Sequence, residues 1–232
     1  LFTPLVGALL IMVIPKDDEQ TIRRVGIAFA FLTLILGIII WIGVAQAGAG
    51  EMQWTEEYPW MKNFEIYYRL GVDGLSAPMI FLTGLLTTLS LFYSARTIDL
   101  RVKEYYFLFL LLELGMLGVF MSLDLVLFYV FWEIGLVPMF LLIGVWGGKR
   151  RLYAAIKFFL YTLIGSVFML LAILGVYFQT GSFSIIEIAQ YAAQQPIFNL
   201  PALSVAAFWA FFIAFAIKVP SFPFHTWLPD AH

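Results

Sequence analysis

Residues 125–145 read LVLFYVFWEIGLVPMFLLIGV, an apolar run that holds one charged residue, Glu133, and one proline, Pro138. A transmembrane helix needs about 20 predominantly apolar residues, so this run predicts a membrane span. Asp124, a residue type favoured at helix N-caps, precedes the run. Counted from Asp124 at about 1.5 Å per residue, Glu133 lies about 13 Å deep, close to the middle of the bilayer.

Six further apolar segments accompany this run and predict further spans, at residues 1–14, 25–46, 77–94, 105–121, 152–178 and 202–220. The 232 residues are 62% hydrophobic and only 12% charged, which excludes an ordinary water-soluble domain. We therefore expect an all-α, polytopic transmembrane helix bundle of about seven spans, the seventh interrupted by proline. Residues 1–232 are predicted to form one membrane domain, truncated at both ends, with the N-terminal helices and an outer loop in 1–100.

The amino-acid composition also excludes several kinds of cofactor and reaction for this chain. The chain has no cysteine, which excludes disulfides, thiolate catalysis and iron–sulfur ligation by this chain. It has two histidines, His225 and His232, too few for a pair of bis-histidine haems. No metal-ligand cluster or phosphate-binding motif is visible, so we expect no metal or cofactor bound by this chain. The net charge of −2 gives no reason to expect a nucleic-acid partner.

The loops differ in their content of lysine and arginine. The odd-numbered loops carry nine such residues, and the even-numbered loops carry two, Lys62 and Arg69. By the positive-inside rule the odd loops face the cytoplasm, which turns the N-terminal end and residues 51–76 outward. The basic run 149–151 is then interpreted as a cytoplasmic anchor, with Lys157 snorkelling to the same interface.

The loop at 51–76 is the longest polar connection. Residues 64–70 favour a β-strand and residues 72–74 favour a turn, so a small hairpin on the outer face is predicted here. The alternative is an irregular interfacial loop whose tryptophans and tyrosines lie at the membrane surface.

Three charged residues lie inside predicted spans: Glu113, Glu133 and Lys218. Each costs about 2.5–3.5 kcal/mol at the centre of a span, and a span that is only structural needs none of them. Removal from water favours the neutral forms of carboxyl and amine, so a midplane acid and base are poised to exchange a proton. Glu133 and Lys218 are thus predicted to form a proton relay. For Glu113 a structural role, as a protonated side chain that donates one interhelical hydrogen bond, remains equally open.

Prolines follow both members of the predicted relay. Pro138 leaves the carbonyl of Ile134 without its helical partner, and Pro220 and Pro223 follow Lys218 directly. Interrupted helices line polar cavities in transporters, although an ordinary proline kink is the alternative.

His225 follows Lys218 by seven residues, which on a continuous helix would bring the two to nearly the same face. A proton shuttle and an interfacial hydrogen-bonding residue are both open for His225. His232 is interpreted as a loop residue.

Several motifs resemble one family. Residues 131–139, FWEIGLVPM, and residues 217–232, IKVPSFPFHTWLPDAH, are similar to segments of the antiporter-like membrane subunits of NADH:quinone oxidoreductase, respiratory complex I. The first segment favours the chain 4 (chain M) family among them, and residues 71–76, GVDGLS, resemble its outer-loop motif. The second segment is shared with Mrp-type Na⁺/H⁺ antiporters.

This resemblance implies that residues 101–232 form an incomplete first antiporter-like repeat. Glu133 would be the relay glutamate, Lys218 the lysine of a broken helix, and His225 a histidine near the proton path. The chain would be a non-redox subunit that couples electron transfer from NADH to quinone to proton pumping.

The resemblance also implies that flavin, iron–sulfur clusters and quinone belong to partner subunits. The partners of this chain would be neighbouring membrane subunits, the lipid bilayer and protons, most simply in a bacterial plasma membrane. The alternatives are a subunit of an Mrp-type antiporter or membrane-bound hydrogenase, and a non-conducting helical scaffold.

Overall fold

The computed structural model describes residues 1–48, 52–194 and 201–231. His232, predicted to be a loop residue, and Glu51, at the start of the predicted hairpin region, lie outside these ranges. Ten helices and one pair of strands are described: α1 (Thr3–Val13), α2 (Glu19–Ala47), β1 (Gln53–Met61), β2 (Ile66–Val72), α3 (Ser76–Ser94), α4 (Val102–Met121), α5 (Leu125–Ile134), α6 (Leu136–Trp146), α7 (Arg151–Thr180), α8 (Ile185–Gln194), α9 (Pro201–Lys218) and α10 (Leu228–Ala231).

The predicted helical bundle is confirmed in its main feature, because helices make up most of the described chain and pack side by side. Five segments are long and apolar enough to cross a membrane: α2, α3, α4, α5 with α6, and α7. Two shorter apolar helices, α1 and the 205–218 part of α9, accompany them. Many leucine, isoleucine and phenylalanine side chains are exposed on these helices, as expected where lipid or another protein replaces water. The chain is therefore an integral membrane protein.

Close helix contacts depend on small residues, as is usual in membranes. α2 packs on α3, α1 packs on α4, and α7 packs on α9. At the contact of α2 with α3, a methyl group added to Gly84 would lie 2.9 Å from the Cα of Leu34. The absence of a side chain there lets the two backbones approach.

The predicted hairpin is present. β1 and β2 pair antiparallel, with Tyr58 opposite Tyr68 and Glu57 opposite Arg69. The connection is a 3₁₀ turn at Lys62–Phe64, and Glu65 after it adopts a left-handed conformation with φ of 54°. The Arg69 guanidinium donates to both oxygens of Glu57, at 2.9 and 3.0 Å, and this hydrogen bonding lowers the pKa of the Glu57 carboxyl.

Backbone hydrogen bonds join the hairpin to the start of α5. Leu123 N–H donates to the Arg69 carbonyl over 2.9 Å, and Ile185 N–H donates to the Leu123 carbonyl over 2.9 Å. Leu125 N–H donates to the Phe183 carbonyl over the same distance. The N-terminal end of α5 is thus held between β2 on one side and the α7–α8 connection on the other.

Candidate functional site

Asp124 fixes the beginning of α5. Its carboxylate accepts hydrogen bonds from the N–H groups of Val126 and Leu127, at 2.9 and 3.2 Å, which confirms the predicted N-cap. The other carboxylate oxygen accepts from Tyr67 N–H of β2 at 3.4 Å. The residue is fully buried, and burial raises the pKa of the Asp124 carboxyl while these N–H donors oppose the rise. The cap therefore also ties α5 to the hairpin.

Glu133 lies at the junction of α5 and α6. α5 ends at Ile134, Gly135 separates the helices, and α6 begins at Leu136 with Pro138 in its first turn. Glu133 is half-buried, and its Oε1 has no hydrogen-bond partner among the described residues. The Oε1 atom of Glu133 can therefore accept a proton or a hydrogen bond from another group.

Two glycines of α4 allow that helix to approach the junction. A methyl group on Gly115 would lie 3.1 Å from the Gly135 nitrogen and 3.2 Å from the Phe131 carbonyl. A methyl group on Gly118 would overlap the Phe131 ring. Side chains at either position would push α4 away from the helix that carries Glu133.

Lys218 is the last residue of α9 and is half-buried. Its Nζ lies 5.0 Å from the ring centroid of Trp132, the residue that precedes Glu133. The Trp132 indole Nε1 donates to Ser166 Oγ of α7 over 3.2 Å. The lysine thus contacts α5 through an aromatic ring, at a distance typical of a cation–π interaction.

Glu133 and Lys218 line different cavities. A cavity of about 830 Å³ is lined by Glu133 together with Phe131, Pro138 and mostly apolar residues of α1, α4 and the hairpin. A second cavity, of about 340 Å³, is lined by Lys218, Trp132, Phe131 and residues of α4. Phe131 contributes to both cavities, so α5 forms the wall between them.

The two predicted relay residues are neighbours without direct contact. No ion pair within 4.0 Å joins Glu133 to Lys218. The structure therefore brings the predicted acid and base to the same helix, one on each side of it.

The segment after Lys218 turns back on α9. Ser221 N–H donates to the Ala216 carbonyl over 2.8 Å, and the Trp227 indole donates to the Ile217 carbonyl over 2.8 Å. These donors satisfy carbonyls near the end of α9 that the helix itself leaves without partners.

His225 lies in the short 3₁₀ helix Phe224–Trp227 that follows this turn. Its ring stacks on Phe222 at 5.7 Å, and its Nδ1 is buried without a hydrogen-bond partner among the described residues. Because no continuous helix connects Lys218 with His225, the shared helical face considered for them does not exist.

A cluster of charges joins this segment to the start of α7. The Asp230 carboxylate lies 2.7 Å from Lys157 Nζ and 2.9 Å from the Arg150 guanidinium. Lys157 also donates to the Thr226 carbonyl over 2.8 Å. The hydrogen bond from Lys157 lowers the pKa of Asp230. The interpretation of 149–151 as an anchor alone is corrected here, because Arg150 binds the segment that carries His225. Lys157 binds the same segment, and its predicted snorkelling stays a prediction.

Glu113 stands apart from these groups. It lies on α4, its side chain is fully buried, and neither carboxylate oxygen has a hydrogen-bond partner among the described residues. It does not line either of the two cavities. The hydrogen bond expected of a structural glutamate is therefore not formed within the described part of the chain.

Sequence reasoning missed three contributors to the site: Trp132, Ser166 and Asp230. Each of these residues contacts a partner at least 34 residues away in the chain. No local sequence pattern indicates such contacts. Over the ranges that the structure describes, no group of three or more histidine, cysteine or acidic residues is arranged to hold a metal ion.

Comparison with known proteins identifies the class. Residues 122–232 match the model of the family described as "NADH:quinone oxidoreductase/Mrp antiporter, TM", so this part of the chain belongs to that family. The helical fold agrees with that assignment. The chain is similar to antiporter-like membrane subunits of such complexes.

Within this class the chain is similar to subunit M, also called chain 4. It is 41% identical over 244 residues to NADH-quinone oxidoreductase subunit M of Rhodobacter capsulatus, covering 100% of this chain and 46% of that relative. A chain of respiratory complex I from Thermus thermophilus with bound NADH superposes with a TM-score of 0.84 at 29% identity, covering 100% of this chain and 45% of that chain.

A more distant likeness shows the fold alone. A chain of the Mrp complex from Dietzia sp. superposes with a TM-score of 0.81 at 23% identity, covering 99% of this chain and 25% of that chain. The chain spans about half the length of the curated relatives it matches.

Proposed function

We propose that this chain is part of a proton-translocating membrane subunit of an NADH:quinone oxidoreductase. Glu133 and Lys218 are the proton relay, and His225 and Glu113 are secondary candidates. The observation that carries the proposal is the placement of this acid and base on the two sides of α5, each lining its own cavity. A proton path needs titratable groups within the apolar spans. Charged residues are costly there, so their presence favours a functional role over a purely structural one.

The remaining features follow from this function. Flavin, iron–sulfur clusters and quinone are held by partner subunits, so this chain carries out no redox step alone. Its partners are neighbouring membrane subunits in a bacterial inner membrane. About seven spans cross that membrane with the N-terminal end outward, and residues 101–232 belong to a first antiporter-like repeat.

The helix interruptions support the same proposal. α5 stops at Ile134 before Pro138, and α9 stops at Lys218 before Pro220 and Pro223. Each relay residue therefore lies within two residues of a helix end, where small backbone movements are easiest.

A subunit of a secondary Na⁺/H⁺ antiporter is the second candidate, favoured by the family description and by the shared fold with the Mrp complex. Flavin that copurifies with the intact assembly distinguishes the two, because a secondary antiporter needs no redox cofactor.

Substitution of Glu133 by Gln in the complete complex tests the function. The change keeps size and hydrogen bonding but removes the proton site, so proton pumping and coupled quinone reduction should fall severely. Glu113→Gln is the matched control, since it removes a buried carboxyl that lines neither cavity, and it should have a smaller effect. Normal pumping by Glu133→Gln, with the complex assembled, would leave the non-conducting scaffold as the explanation.

A further inference from the structure

Trp132 is the neighbour of Glu133 on α5, and its ring contacts Lys218. Consecutive residues of an α-helix point about 100° apart, so Trp132 and Glu133 leave α5 in different directions. Glu133 lines the larger cavity, and Trp132 lines the smaller cavity together with Lys218. The Lys218 ammonium lies 5.0 Å from the centroid of the Trp132 ring. A cation within about 6 Å of a tryptophan face is attracted by the negative face of the ring.

Contacts on three elements fix the ring. Its Nε1 donates to Ser166 Oγ of α7 at 3.2 Å, and Ser166 is itself buried. The ring of Phe215 on α9 packs edge-on with a centroid distance of 5.6 Å. The ring of Phe128, on α5 like Trp132 itself, lies at a centroid distance of 5.7 Å. The ring can therefore hold the ammonium in one place without reorganising.

We propose that Trp132 is a positioning residue for Lys218, whose ring face holds the ammonium on the small-cavity side of α5, apart from Glu133. This inference rests on the proposed relay function and adds a third member to it. The ring competes with Glu133 for the same cation, so its strength sets how readily Lys218 and Glu133 approach each other. A ring that contributes only van der Waals packing would not affect the separation of Lys218 and Glu133 through the charge of its face.

Fluorination of Trp132 tests the inference in the complete complex. Fluorine atoms on the indole weaken the negative face of the ring with little change in its size. Site-specific replacement of Trp132 by mono-, di- and trifluorotryptophan should lower the pumping rate with each added fluorine. The decrease over the whole series should be about fivefold or more, as expected for a desolvated cation–π contact. Trp146 is the last residue of α6, and its Nε1 donates to the Leu100 carbonyl. The same replacements at Trp146 should give no trend.

Two substitutions complete the design. Trp132→Phe keeps a ring and should retain more activity than Trp132→Leu, with the assembled complex measured in the membrane fraction for each. If Trp132→Leu fails to assemble, the fluorinated series still gives the answer, because it preserves the shape of the side chain.

Lys218→Met separates failure of this inference from failure of the proposed function. Loss of pumping in Lys218→Met with a flat fluorination series would overturn the positioning role and leave the relay. Normal pumping in Lys218→Met would reject the relay and the positioning role together.

Discussion

The Asp230 carboxylate binds the Lys157 ammonium at 2.7 Å and thereby joins the segment after α9 to the beginning of α7. Arg150 adds a second contact to the same carboxylate. Asp230 is 73 positions from Lys157 and 80 positions from Arg150 in the chain, so the two contacts join segments that are distant in sequence.

Asp230→Asn should loosen this connection. Spin labels on cysteines at the exposed positions 149 and 221 report the distance between the two segments, and the cysteine-free sequence simplifies the labelling. The distance distribution should be narrow in the parent and broad in Asp230→Asn. Asp17→Asn, in the exposed loop before α2, is the control and should change nothing.

The same spin labels can measure how the connection between the two segments depends on pH. The pKa of the Asp230 carboxyl is lowered by its ion pair. The stabilisation that the ion pair gives is therefore fully present at a pH above the usual aspartate pKa of about 3.9, and it is lost as the pH falls below the lowered pKa. The distribution should therefore stay narrow between pH 8 and pH 5. Broadening within that range would contradict the ion pair as the source of the order.

Glu133 and Lys218 should behave as one coupled pair in a double-mutant cycle on the pumping rate. At an effective dielectric constant of about 20, unit charges attract by about 4 kcal/mol at 4 Å and by about 2 kcal/mol at 8 Å. A movement between such separations is enough to change where a proton resides. The double variant Glu133→Gln, Lys218→Met should be little worse than the worse single variant, whereas strictly additive losses in activation free energy would mean two independent residues.

Gly118→Ala should weaken the contact of α4 with α5. The added methyl group meets the Phe131 ring, and overpacking of this kind costs about 1–3 kcal/mol. The level of the subunit in membranes and its thermal stability should both fall. Gly148→Ala is the matched control, because nothing lies within 4 Å of the added methyl group. Equal stability of the two variants would show that α4 can move aside without cost.

The orientation in the membrane can be tested with single cysteines. Lys62 lies at the exposed tip of the hairpin, and Lys149 lies in the exposed connection after α6. An impermeant thiol reagent should label Lys62→Cys in intact cells and Lys149→Cys only after permeabilisation. The reverse pattern would invert the topology derived from the basic residues.

Local patterns predicted the elements of this fold well. The predicted span at 125–145 corresponds to α5 with α6, the segment 77–94 to α3, and the segment 152–178 to α7. Helix ends carry local signals such as Asp124, and apolar runs set the helix lengths. α8 was missed because its ten residues are too few and too polar to resemble a span.

The candidate site was predictable only in part. Charge inside apolar runs identified Glu133, Lys218 and Glu113, since such residues are rare there. The partners that orient them could not be found this way. Trp132 resembles any aromatic residue of a span, and Lys157 resembles any basic residue at a membrane surface, until folding brings Lys218 and Asp230 beside them.

The fixed N-terminal end of α5 determines how Glu133 can move. Asp124 and its backbone donors hold that end, and the helix stops one residue after Glu133. A tilt of α5 would therefore turn about Asp124 and be largest at the end that carries the Glu133 carboxylate. With a rise of about 1.5 Å per residue over nine residues, a tilt of about 10° displaces Glu133 by about 2 Å. A rotation this small leaves the hairpin undisturbed and still changes the distance from the carboxylate to Lys218.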